Sequence, residues 1–118
     1  MSTNYTRDFK EIVESFIVPA VESFKPEFES NGYNCSFLEQ SESQGISYKL
    51  TATQRVLVSY ILNFHLQHPE ADWVVCSAKQ DNGIINAFIN EYPLNHLKSE
   101  SNVTLILKQA LIRMQSVR

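Results

Sequence analysis

Apolar side chains two positions apart dominate the middle of this chain. In residues 56–66, Val56, Val58, Tyr60, Leu62, Phe64 and Leu66 make one unbroken apolar face, with Leu57, Ser59, Ile61, Asn63 and His65 on the other. A strand alternates its side chains across the sheet, so this spacing predicts a strand with one side buried and the other half covered. Its Val, Ile, Tyr and Phe content suits a pleated surface. Ser59, Asn63 and Gln67 also fall four apart, as a polar stripe on a helix would, and the sequence leaves that alternative open.

Before this stretch the apolar period is longer. Phe9, Ile12, Val13, Phe16, Ile17, Ala20, Val21, Phe24 and Phe28 recur at three and four, which predicts a long amphipathic helix over residues 7–30. Thr6 fits its N-cap, Asp8 and Glu11 suit the positive end of its dipole, and Asn31 and Gly32 form a stop. Pro19 and Pro26 each remove a backbone donor. Being seven apart, they share the side opposite the Phe stripe, so they either kink the helix or divide it at Val18 and Pro19.

After Gly32 the period falls to two. Tyr33, Cys35 and Phe37 suggest a first strand, and the polar residues 39–45 read as an exposed loop. Ile46, Tyr48, Leu50 and Ala52 alternate with Ser47, Lys49, Thr51 and Thr53, giving a second strand whose polar side suits water. Residues 68–72 form a turn, residues 73–79 a fourth strand, and Asn82 with Gly83 a hairpin signal. Residues 84–91 fit a returning strand or a helix with Ile84, Ile85, Phe88 and Ile89 on one side. A closing helix over residues 102–116 carries Val103, Ile106, Leu107, Ala110, Leu111 and Met114 on one face. The order predicts an α+β two-layer sandwich in one domain: a long helix, an antiparallel meander of four to five strands, and a C-terminal helix, with both helices on one face. Crossover helices for a parallel sheet are missing.

The 118 residues, 43% apolar and 19% charged, are enough for a core without staples. A formal charge of -3 supplies no global field for nucleic acid or anionic lipid, so neither is expected as a partner. Charge is uneven, however. Residues 1–31 hold six acids against three bases, whereas the last sixteen residues hold Lys108, Arg113 and Arg118 and no acid. No run is apolar and long enough to span a membrane, and the first residues have no apolar signal core, so a cytoplasmic location is expected. Cys35 and Cys76 then read as small buried hydrophobes rather than a disulfide.

Candidate chemistry is sparse. His65 and His68, with Glu70, Asp72 and Cys76 nearby, are the one group with metal-ligating side chains. Three positions apart on a strand point to opposite faces, so no metal or other cofactor is expected. Cys76 belongs to the core set Val74, Cys76 and Ala78, while His65 lies on the other face, so a cysteine nucleophile with a histidine base is not expected either. Gly32, Gly45 and Gly83 are isolated turn residues, not a phosphate-binding loop.

Two function classes remain. The first is a non-enzymatic interaction or regulatory module that works through a sheet face or by homodimerising, and it is the one favoured here. Its candidate surface is the second side of the sheet, Leu57, Ile61, Trp73, Val75 and Phe88, interspersed with neutral polar groups, because a monomer rarely leaves so many large apolar groups contiguous in solvent. The expected occupant is a second copy or a protein partner, unless residues 92–101 fold over it. The second class is a small-ligand-binding or catalytic domain, which needs a void between sheet and helices near Tyr48 and Tyr60.

Overall fold

A computed structural model describes residues 4–42, 45–54, 58–66, 68–80 and 88–116. The first helix, α1 (Thr6–Ile12), starts where Asn4 Oδ1 accepts a hydrogen bond from the Thr6 amide at 2.9 Å. The cap position is Tyr5 rather than the expected Thr6, which is itself the first helical residue, and Asn4 satisfies that first amide from one position farther out. The prolines neither break the rod nor divide it. Pro19 has no N–H to offer the turn before it, and the chain answers with a π turn at Val13–Ile17 that is closed by the Val18 amide on the Val13 carbonyl. Helix α2 (Val18–Ser30) follows without a gap, with Pro26 on its exposed side.

Eight of the nine stripe residues are buried: Phe9, Ile12, Val13, Ile17, Ala20, Val21, Phe24 and Phe28. The ninth, Phe16, is half-buried and packs at the margin of the core. The widened turn carries Val13 and Ile17 inward and leaves Phe16 at its flank.

Gly32, at φ 89°, turns the chain from α2 into the sheet, in a region that costs other residues steric strain. Its amide reaches the Glu29 carbonyl at 3.0 Å, and the Tyr33 amide reaches the Phe28 carbonyl at 2.9 Å. This pair of bonds is a Schellman stop.

Five antiparallel strands then run in sequence order: β1 (Asn34–Glu42), β2 (Gly45–Gln54), β3 (Val58–Leu66), β4 (Trp73–Gln80) and β5 (Phe88–Pro93). The strand reading of the middle stretch holds over 58–66, while Val56 and Leu57 lie outside the described residues. The polar stretch after Leu38 is strand rather than loop through Glu42, which pairs with Gly45, while Ser43 and Gln44 lie outside the described residues. An edge strand needs apolar residues on one face at most, and its partner supplies the backbone bonds, so polarity there misleads. Residues 88–93 are strand rather than helix. The Asn82 and Gly83 signal and residues 84–87 lie outside the described residues.

After β5 a short 3-10 turn, Leu94–Leu97, buries both leucines; the sequence reading did not anticipate it. Helix α3 (Glu100–Ser116) closes the fold and begins two residues earlier than its apolar pattern suggests, with the Asn102 amide on Ser99 Oγ at 3.3 Å. Ile46, Tyr48, Leu50, Ala52, Tyr60, Leu62, Phe64, Leu66, Val74, Cys76 and Ala78 all join the helices' apolar residues in one cluster. The protein is an α+β sandwich with both helices on one side of the meander. None of its described helices is long and apolar enough to cross a membrane.

Candidate interaction face

The register decides which side chains share the face turned away from the helices. Tyr60, Leu62, Phe64 and Leu66 point into the core, so Ile61, Asn63 and His65 point out of it. Across β4 the outward set is Trp73, Val75 and Ser77, since Val74, Cys76 and Ala78 are buried. Cross-strand pairs arrange these groups in rows. Ser47, His65, Val75 and Glu91 make one row, and Leu38, Lys49, Asn63 and Ser77 make the next.

Ile61, Trp73 and Val75 are thus brought to one face, as the sequence suggested. Trp73 is 48% exposed, whereas Ile61 and Val75 are half-buried among their neighbours. Phe88 does not join them. Its position pairs with Ala78, away from the rows above, and its side chain lies outside the described residues. Leu57 lies outside the described residues. Leu38, 67% exposed on the edge strand, belongs to this face and was missed, because the alternation of residues 33–37 draws attention to the other side.

The polar members differ from expectation too. Ser47 was read as a residue content in water, yet it is fully buried. Its position pairs with His65 on β3, in the row that runs on to Val75 and Glu91. Lys49, Thr51 and Thr53 are half-buried. Asn63 Oδ1 is shut off from solvent without a hydrogen-bond partner among the described residues. An acceptor left unmade in this way costs about 1–3 kcal/mol.

Among the described residues no helix covers these rows. Residues 92–101, the alternative cover for this face, send Leu94 and Leu97 into the core, and the Leu94 amide bonds the Asp72 carbonyl at 2.9 Å. The shortest dimension of the molecule is 19 Å, which accommodates one sheet and one layer of helices.

The alternative sites fare as follows. His65 pairs with Val75 and Cys76 with Phe64, so the sheet itself separates the histidine from the thiol. Burial pushes the Cys76 thiol up to about 12, far from the low values that make a thiolate nucleophile. Cys35, pushed up to about 11 by burial, lies on β1, and both cysteines are free. They are three strand spacings apart, roughly 14 Å, well beyond disulfide reach. Among the described residues, no three His, Cys, Asp or Glu side chains gather as a metal site.

The space near Tyr48 and Tyr60 is occupied. Phe9 meets Tyr48 edge to face at 5.4 Å, Phe37 stacks on it at 5.9 Å, and Tyr33 packs on Tyr60 at 6.1 Å. Tyr48 also donates to Glu39 Oε1 at 3.3 Å, and burial, with that carboxylate second, pushes its hydroxyl up to about 12. Compared with known proteins, the chain matches no family model, no curated protein and no solved structure.

Proposed function

We propose that this protein is a small interaction module without a catalytic role, acting as a homodimer through the uncovered face of its sheet. The observation that carries the reading is the outward set of β3 and β4, where Trp73 stands half out of the surface two residues along β4 from Val75, with Ile61 on the same face in a row farther along the strands. Aromatic and aliphatic groups among neutral polar ones, with charges at the margin, match the make-up of contact surfaces.

Charge favours a second copy as the occupant. Lys49 lies on β2 and Glu91 on β5, on either side of the β3–β4 seam, and the ion pairs among the described residues, Arg7 with Glu11 and Lys10 with Glu39, involve neither. A two-fold axis along that seam exchanges β2 with β5 of the copy. Lys49 then falls about 7 Å along the strand from the copy's Glu91, within reach of a lysine stem. The face of five strands is roughly 24 Å wide, so its footprint is comparable with the ~800 Å² per partner of a standard interface.

Light scattering tests the reading. The wild type is expected to run as a dimer, and Lys49→Glu or Glu91→Lys as a monomer. Mixing those two variants should restore a dimer, because each then meets an opposite charge. A wild type that stays monomeric at high concentration, or a dimer indifferent to Trp73→Glu, overturns it.

A further inference from the structure

The two edges of the sheet are unlike. β5 is six residues long, ends in Pro93 and carries the exposed Glu91. Such short, proline-ended, charged strands are how proteins blunt an edge against pairing. β1 has none of this protection along Asn34–Leu38. It is nine residues long with no proline, lysine or arginine, and among the described residues it pairs on one side alone. The charge at Glu39 is drawn back toward the helices, 3.7 Å from Lys10 Nζ. Leu38 stands exposed on the strand's outer face.

A groove of about 270 Å³ runs beside this same edge, between α2 and β1. Val18 and Val21 form one wall, Cys35 and Phe37 the other, and Glu22 and Lys25 stand among its lining. Phe37 is held in place by its stack on Tyr48.

From the open edge and the adjoining groove, we infer that β1 binds an extended peptide segment of a partner protein by strand addition. Alternate side chains of an added strand point to one face of the sheet. One set would enter the groove against Phe37 and Cys35, while the other would cover Leu38. Backbone bonds to β1 supply affinity, and the groove selects apolar residues at alternate positions. Glu22 and Lys25 offer one charge of each sign, so the site has no net preference for a charged peptide. A lone strand fits better than a second copy, whose β1 already lies under its own α2.

The test uses a phage-displayed library of random dodecapeptides, selected on the full chain, with the most enriched sequence made as a synthetic peptide. Alternating apolar residues are expected in the enriched set. On binding, NMR hydrogen exchange should slow at every second amide of β1 and at none of β5. Val18→Lys, in the wall of the groove, is expected to weaken binding at least tenfold, whereas Trp73→Glu leaves it intact, so this site and the dimer face fail separately. Enrichment without alternation, protection confined to another element, indifference to Val18→Lys, or β1 edges paired between two copies would each overturn the inference.

Discussion

Phe28 and Tyr33 meet edge to face across the bend at Gly32, their ring centroids 6.4 Å apart and their planes at 88°. The contact joins the last turn of α2 to the residue before β1, and it is the apolar clasp that accompanies this kind of helix stop. It exists because Gly32 holds φ 89°. Gly32→Ala should therefore cost about 1–2 kcal/mol, the strain of a Cβ in that region. A denaturant melt of the variant checks this, and a loss below a few tenths would mean that the bend relaxes freely.

The core offers a graded comparison. Phe64 is fully buried and pairs with Tyr48 and Cys76, so Phe64→Ala should cost about 3–5 kcal/mol. Phe16, half-buried at the flank of the π turn, should cost less than about 2 kcal/mol on truncation. Equal losses in parallel urea melts would contradict the placement of Phe16.

Alkaline pH should weaken the fold through its thiols. Burial raises Cys76 from 9.0 to about 12, so the folded state keeps a proton that the unfolded chain gives up. The stabilisation is full below pH 9 and is lost as pH rises from 9 toward 12. Cys35, raised from 9.0 to about 11, adds to the same slope. Urea melts between pH 8 and 11 should show stability falling with pH for the wild type and falling less for Cys76→Ala.

Trp73 is the single tryptophan, which makes it a reporter for its own face. Its half-exposed ring should emit at long wavelength in dilute protein and shift to shorter wavelength as concentration rises and a second copy covers it. An emission maximum unchanged over the range in which light scattering detects dimer would place the contact elsewhere.

Much of this architecture can be read from residue spacing. Period-two alternation in residues 46–53 and 58–66 marks β2 and β3, and the Phe stripe marks the helical rod, because burial on one side imposes a period. What spacing does not reveal is register. Phe88 changes sides according to which residue of β4 it pairs with, and nothing local to it records that choice. Ser47 is buried by its neighbours across two strands rather than by its own character. Leu94 and Leu97 lie in a turn too short to show any period at all. The candidate face was legible where two parities agreed, at Ile61, Trp73 and Val75. It was illegible at Leu38, an apolar residue followed by six polar ones.

The π turn at Val13–Ile17 can also be viewed as a matter of chain length. A turn closed between residues five apart holds one residue more than the α-helical turn it replaces. The apolar residues on either side are nonetheless already in phase with the sheet below. The surplus is therefore a looped-out unit of sequence, and deleting exposed Ser15 would shorten the chain without turning Phe9 or Phe24 away from the core. Most helices lose their facing when one residue is removed. This one is built to survive the loss there, and a deletion scan along residues 6–30 should find its single permissive window at the π turn.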